Sequence, residues 1–305
     1  MTDHFHIKSR ADGLELGVVM TVPGDEIRGI VQFAHGMCGC KERFLPAMHY
    51  LSDRGFVCIA NDHRGHGTSI RSERDRGYMY MGGYKALVDD MKAVSEYAEE
   101  RFPGKPLYIV GHSMGSLAAR IYARKYGHGI AGLFLCGSPA GNPQAGLGMV
   151  LCRIACMVGL GHVRPTALQK IQSDRFNEPF AAEGPQAWTC SDPSVRQAFA
   201  SNPACNFSFT ANGAYNLLAM MKLAYNGSRA ENPGLPIILM NGADDTCSKG
   251  AKGLAKASLA ATKAGYISVR SILYPGMRHE ILNEPRRDMV LEDMIAIMGN
   301  ISENK

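Results

Sequence analysis

A short stretch, Gly111-His-Ser-Met-Gly-Ser, holds residue types suited to nucleophilic attack on a carbonyl carbon. It follows an apolar run at 107–110 and precedes a helical pattern at 117–126. Strand, sharp turn and helix around G-x-S-x-G is the setting of a nucleophile elbow, which aims the hydroxyl of Ser113 into a cleft. In so tight a turn a side chain two residues either side of the serine collides with neighbouring backbone, which explains glycine at Gly111 and Gly115. The helix N-terminus beside Ser113 also favours an anion developing there.

A serine hydroxyl is a weak nucleophile at neutral pH, so it needs a base, and the base needs an orienting carboxylate. Elbow-bearing chains carry these in the order Ser, Asp or Glu, His. His162 and His279 follow Ser113 at a distance. His279, in Tyr274-Pro-Gly-Met-Arg-His-Glu, stands just after the last predicted strand and before the C-terminal helical pattern, where a base reaching the elbow belongs. His128 is too close to the elbow helix, and His112 is expected to point away from Ser113. The run at 237–240 ends in Asn241-Gly-Ala-Asp-Asp-Thr, so Asp244 and Asp245 compete for the orienting role. Spacing does not choose between them. Two backbone amides are expected to form an oxyanion hole: Met114, directly after the serine, and Met37, in the loop Phe33-Ala-His-Gly-Met-Cys-Gly, where Gly36 lets the backbone turn. Each such donor contributes roughly 3–4 kcal/mol to the transition state, whatever the side chain on it.

These stretches require strands to position them, and the hydrophobic pattern supplies candidates. Apolar runs at 30–34, 56–60, 107–110, 133–136, 237–240 and 267–274 are bounded by Gly, Pro or Asn and suit strands buried on both faces. Residues 5–8 and 14–20 read as an antiparallel pair before them. Tyr84, Leu87, Val88, Met91, Val94 and Ala98 repeat at helical spacing, as do Ala251, Leu254, Ala255 and Leu259, and later Val290, Leu291, Met294, Ile295 and Met298. Such alternation implies an α/β fold with an open, mostly parallel sheet and its chemistry at the carboxyl ends of the strands.

The rhythm breaks between residues 140 and 226, where Pro143, Pro165, Pro179, Pro185, Pro193 and Pro203 divide helical pieces and loops. The expected organisation is a core of residues 1–139 and 227–305, with 140–226 a helical lid inserted over the strand ends. Within it, Leu147, Val150, Leu151, Ile154, Met157 and Val158 belong to a helix apolar nearly all round, with Arg153 its one charge. An exposed apolar face is implied. That face suits either the wall of an acyl pocket or contact with a lipid surface.

At 305 residues the chain folds to roughly 13,000 Å² of surface from roughly 48,000 Å² unfolded, enough to bury one large core. With 46% hydrophobic and 20% charged residues, disordered and low-complexity classes are excluded. Thirty-three basic residues against 28 acidic give +5 without a charge run, so no nucleic-acid partner is expected. The N-terminus has no basic segment leading into an apolar one, and the stretch 146–163 is too short and broken for a membrane span. The nine cysteines include no CxxC pair and no zinc spacing, so reduced cytosolic thiols and no metal are expected.

Five ordered motifs together resemble the monoacylglycerol lipase and lysophospholipase group of α/β-hydrolases with a serine-aminopeptidase-type lid. They are Phe33-Ala-His-Gly, Asn61-Asp-His-Arg-Gly-His-Gly-Thr-Ser, Gly111-His-Ser-Met-Gly-Ser, Asn241-Gly-Ala-Asp and Arg278-His-Glu-Ile-Leu-Asn-Glu. The resemblance runs from about residue 30 to 285. It implies an eight-stranded, mostly parallel sheet flanked by helices, with Ser113 as nucleophile, His279 as base, Met37 and Met114 as oxyanion amides, and Asp244, directly after Gly-Ala, as acid. The loop after Asp62 matches the family's structural turn, and 173–180 resembles a lid motif of bacterial relatives. The oxyanion loop departs from the pattern, reading Met-Cys-Gly-Cys where the family often has a small residue followed by Gly, Glu and His.

The resulting expectation is a cofactor-free serine hydrolase acting on carboxylic esters with medium or long acyl chains, monoacylglycerol-like lipids first. Its partners are a small-molecule acyl ester and, through the lid, a membrane surface touched transiently; its place is the cytoplasm, peripheral to membrane. The oligomeric state stays open. Alternatives use the same triad on lysophospholipids, where Arg164, Lys170 and Arg175 would serve an anionic head group, on short-chain esters, or on amides and peptides. A non-catalytic ligand-binding module is the reading from a different class.

Overall fold

A computed structural model describes residues 1–141 and 145–303. The strands β1 (Thr2–Lys8), β2 (Glu15–Thr21), β3 (Gly29–Ala34), β4 (Phe56–Asn61), β5 (Leu107–His112), β6 (Gly132–Cys136), β7 (Ile237–Gly242) and β8 (Val269–Tyr274) form one eight-stranded sheet in the order β1-β2-β4-β3-β5-β6-β7-β8. β2 runs antiparallel to both β1 and β4, and every other pairing is parallel.

Because successive side chains of a strand point to opposite faces, this sheet builds two cores. Ile30 and Ile109 enter one, with α2 (Gly83–Arg101), α3 (Met114–Tyr126) and α8 (Gly250–Lys263) laid against it. Val31 and Val110 enter the other, covered by α1 (Leu45–Ser52) and α9 (Arg287–Glu303). The pattern predicted α2, α3, α8 and α9 but not α1. That helix spans only eight residues, has a proline in its first turn, and gains its order by burying Ala47, Met48 and Leu51.

Register brings the functional loops level. Ala34 pairs with Gly111, so the loop leaving β3 starts beside the turn leaving β5. Gly242 pairs with Tyr274, so the loops leaving β7 and β8 also start side by side. All four leave from the carboxyl ends of parallel strands.

Between β6 and β7 the described residues contain no strand. Instead come α4 (Ala145–Met157), α5 (Thr166–Asn177), α6 (Pro193–Ser201) and α7 (Ala211–Asn226). α7 packs on α2 and α3 and sinks Met220 and Ala224 into the first core, while α4 lies along α7.

Candidate active site

The residue at the elbow carries the backbone strain the turn demands. Ser113 has φ 53° and ψ −119°, a left-handed conformation rare for a residue with a side chain. Its flanking glycines are obligatory for space: a Cβ on Gly115 would lie 2.0 Å from the Ala34 carbonyl oxygen, and one on Gly111 would lie 2.6 Å from that of Gly115. A Cβ on Gly36 would sit 3.0 Å from that of Ser113, so the loop after β3 abuts the serine. The amides of Met37 and Met114 have no acceptor among the described residues.

His279 Nε2 lies 2.9 Å from Ser113 Oγ and its Nδ1 lies 3.0 Å from Asp245 Oδ2. A carboxylate only accepts, so Nδ1 carries the proton, and unprotonated Nε2 is left to accept from the serine hydroxyl. Both members of the imidazole–carboxylate pair are deep, with the Asp245 side chain 0% and the His279 side chain 4% exposed. Burial alone disfavours a charged imidazole, but the Asp245 carboxylate, by its charge and its hydrogen bond, outweighs that and raises the His279 pKa. Burial likewise opposes a charged Asp245, yet the charge and hydrogen bond of His279 and the bonds from Ser248 hold its carboxyl below the usual range.

Asp244 does not occupy this place. Its side chain is exposed, and its backbone N–H donates to the Met277 carbonyl at 3.0 Å. In the turn after β7 it is the following residue whose carboxylate turns inward, where Oδ1 accepts the backbone N–H groups of Cys247 at 2.9 Å and Ser248 at 3.1 Å. Those two bonds leave Oδ2 aimed at the imidazole. The expectation of Asp244 at the head of this chain of contacts is therefore corrected to Asp245.

His112 packs against the imidazole. Its ring lies 4.9 Å from that of His279, and its Nε2 donates to the His279 carbonyl at 3.2 Å. Burial and the neighbouring His279 drive it down to about 4, so it stays neutral around pH 7. Beneath the loop after β3, the buried rings of His35, His63 and His66 pack together, and burial drives His66 down to about 3. Asp62 ties this layer to the loop: it accepts from Lys41 N at 2.9 Å, Lys41 Nζ at 2.7 Å and Thr68 N at 2.9 Å. These residues brace the loop that carries Met37.

Sequence reasoning missed how closely the segment between α5 and α6 is bound to the His279 loop. Arg278 donates to the Glu183 carboxylate at 2.9 and 2.5 Å and to the Ala187 carbonyl at 2.7 Å. Glu284 accepts from Ser191 N at 3.0 Å and from Arg278 N at 2.9 Å. The segment between α6 and α7 reaches the loop after β3, where the Cys38 thiol donates to the Phe207 carbonyl at 3.0 Å and the Cys40 and Cys205 sulfurs lie 3.6 Å apart. No local pattern announces these pairings across the chain, since, apart from Arg278 N with Glu284, their partners are about 90 to 170 residues apart.

Leu147, Val150, Leu151, Ile154, Met157 and Val158 all lie on the outside of α4 or just after it, between 52% and 77% exposed. As walls of an acyl pocket they are corrected: the more covered positions Gly148, Cys152, Ala155 and Cys156 lie on the opposite side, and a Cβ on Gly148 would meet Leu218 of α7 at 3.0 Å, so the small residues face inward. Of the basic residues expected to serve an anionic head group, Arg164 donates to the carbonyls of Arg76 and Ser208, and Lys170 pairs with Asp174 at 2.6 Å. Among the described residues no cluster of His, Cys, Asp or Glu suits a metal ion, and no helix is long and apolar enough to cross a membrane.

Residues 25–286 match the family described as serine aminopeptidase, S33. The chain belongs to this family of serine hydrolases. It is similar to the monoacylglycerol lipase of Mycolicibacterium smegmatis, 25% identical over 292 residues that cover 95% of each chain. Among solved structures it is similar to a thermostable carboxyl esterase from Bacillus coagulans, at TM-score 0.88 and 27% identity over 98% of each chain. The fold is shared as well with a monoglyceride lipase from Saccharomyces cerevisiae, at TM-score 0.75 and 21% identity over 98% of this chain and 94% of that one. The S33 assignment agrees with the eight-stranded sheet and with lipase or esterase-type hydrolysis.

Proposed function

We propose that this chain hydrolyses carboxylic esters of medium or long acyl chains, monoacylglycerol-like lipids first, through Ser113, His279 and Asp245. The observation that carries this reading is the continuous hydrogen-bond chain from Ser113 Oγ through His279 to Asp245. Ser113 Oγ attacks the ester carbonyl while His279 Nε2 takes its proton, and Asp245 holds the imidazole in the required tautomer and stabilises its charged form. The amides of Met37 and Met114 receive the oxyanion of the tetrahedral intermediate. His279 then delivers the proton to the departing alcohol, leaving an acyl-serine. Water, activated by the same imidazole, attacks the acyl carbonyl and regenerates the serine.

A lipid-like substrate is supported by the outward apolar side of α4 and by the activity named for the mycobacterial relative. The helices between β6 and β7 act as a lid, and α4 with Leu168 and Ile171 of α5 meets the lipid surface that presents the substrate. The esterase name of the Bacillus coagulans relative favours a second reading, hydrolysis of shorter esters by the same residues.

Purified protein assayed on p-nitrophenyl esters of rising chain length, a monoacylglycerol, a lysophospholipid and an aminoacyl anilide separates these readings. Rates that rise to medium or long chains, with monoacylglycerol ahead of the other head groups and the anilide untouched, are expected. Turnover should fall roughly 10⁴- to 10⁶-fold in Ser113→Ala, with little further loss on adding His279→Ala. Ester hydrolysis that survives Ser113→Ala, or a preference for the anilide, refutes the proposal.

A further inference from the structure

Trp188 is the only tryptophan of the chain. Its indole packs against the His279 imidazole with ring centroids 5.0 Å apart. The placement is held from both flanks. Arg278 Nη1 donates to the Ala187 carbonyl at 2.7 Å, and Glu280 N donates to the Thr189 carbonyl at 2.8 Å. The two neighbours of the imidazole thus grip the two neighbours of the indole. From α5, Asn177 Oδ1 accepts the Trp188 backbone N–H at 3.1 Å, and the Phe176 ring lies 5.0 Å from the indole. Thr246, next to Asp245, donates to the Phe176 carbonyl at 2.8 Å. An indole anchored this way keeps its distance from the reacting groups.

One atom in this arrangement is out of place for a purely structural ring. The indole Nε1 is shielded from solvent, yet no described residue accepts its proton. Buried donors are nearly always paired, and those left unpaired in a folded chain call for an explanation. The chemistry next door supplies one. His279 Nε2 returns its proton to the departing oxygen, so the alcohol half of an ester passes alongside the imidazole on which this indole rests.

We propose that Trp188 determines leaving-group specificity, its indole N–H donating to a hydroxyl oxygen that the alcohol carries in addition to its ester oxygen. This rests on the ester-hydrolase reading above and deepens it by naming the alcohol as a polyol such as glycerol. A site whose buried donor is completed by a substrate oxygen discriminates against an alcohol lacking that oxygen.

The test compares kcat/KM for a 1-monoacylglycerol and for the methyl ester of the same fatty acid, in the wild type and in Trp188→Phe, which keeps an aromatic ring against His279 and removes the N–H. Expected is a loss of about tenfold on the monoacylglycerol, the scale of one hydrogen bond, with the methyl ester changed less than about twofold. The acid limb of the pH profile should stay in place, because the imidazole keeps its partners. A ratio of the two esters unmoved by Trp188→Phe, or an equal loss on both, overturns the proposal. Binding gives a second readout, since all tryptophan emission comes from this site. In Ser113→Ala, monoacylglycerol should shift the emission more than the methyl ester does, and identical shifts also count against the proposal. A wild type inactive on both esters would remove the ester reading itself, a result distinct from an active enzyme with an unmoved ratio.

Discussion

Asp245 Oδ2 lies 3.0 Å from His279 Nδ1, while the preceding Asp244 points into solvent. Two carboxylates adjacent in sequence thus sit in opposite environments. Only the buried one has its second oxygen satisfied by backbone N–H groups, those of Cys247 and Ser248, leaving a single fixed direction for the first.

Asp245→Asn should therefore lower turnover by about 10⁴-fold, because an amide in place of the carboxylate favours the wrong imidazole tautomer and no longer stabilises the imidazolium. Asp244→Asn should change turnover less than about threefold, as expected for an exposed side chain away from the reacting groups. Steady-state rates of the two variants on a p-nitrophenyl ester settle the order, and a larger loss in Asp244→Asn would return the orienting role to that residue.

The raised His279 pKa sets the direction of the pH profile. In the proposed mechanism acylation needs the neutral imidazole, so kcat/KM should fall as pH drops through a pKa above the ordinary imidazole value of about 6.5. Without the Asp245 carboxylate, burial is opposed only by the smaller effect of the Glu280 charge, and the pKa must drop. The residual activity of Asp245→Asn should accordingly show its acid limb at lower pH than the wild type, measured on an ester whose own chemistry is flat over the range. A limb displaced to higher pH would contradict the electrostatic account.

Where strands are buried on both faces, the sequence alone made the core legible: Ile30 and Val31 feed opposite cores, and the apolar run that contains them was readable without coordinates. The elbow was equally plain, because Ser113 and its glycines are a local constraint written within five residues. The choice between Asp244 and Asp245 was not local. It depends on the curl of one turn after β7, and carrying the family motif across by position picked the wrong neighbour. Trp188 was harder still, because what brings it to His279 is a set of contacts from Arg278, Glu280 and Asn177, none of which leaves a periodic trace.

The Asp62–Lys41 pair under the loop after β3 should matter through stability. Both side chains are nearly out of solvent, at 0% and 4% exposure. Burial disfavours the charged carboxyl, but Lys41, together with the other groups around it, holds the Asp62 pKa below the ordinary value. Asp62→Asn leaves a buried ammonium with its main partner gone and should lower the unfolding free energy by about 3 kcal/mol near neutral pH. A carboxyl with a depressed folded-state pKa stabilises above its unfolded pKa and loses that contribution as pH falls through the folded value. The gap between wild type and Asp62→Asn in urea unfolding should hence be constant above about pH 5 and shrink in more acidic solution. A gap that widened on acidification would show that Asp62 is held in its neutral form.

The outward side of α4 sets a last expectation, that the proposed contact with lipid and the ester chemistry can be separated. Leu147, Leu151 and Ile154 share one side of the helix at 70%, 60% and 52% exposure, while small residues such as Gly148 and Cys152 lie toward the other. Inserting a leucine or isoleucine side chain into lipid gains about 1.5–3 kcal/mol when burial is complete, and roughly half of that is reasonable for side chains already half covered. Changing all three to serine should reduce partition onto neutral phosphatidylcholine vesicles by at least about tenfold. Neutral lipid is the right surface, since the +5 charge of the chain would otherwise add its own attraction to anionic vesicles. Hydrolysis of dissolved p-nitrophenyl acetate should stay within about twofold of wild type, because these exposed side chains take no part in the hydrogen-bond chain from Ser113 through His279 to Asp245. Vesicle sedimentation that is indifferent to the triple change would place the lipid contact elsewhere on the molecule. A matching loss of acetate hydrolysis would mean instead that this side of α4 supports the fold of the site.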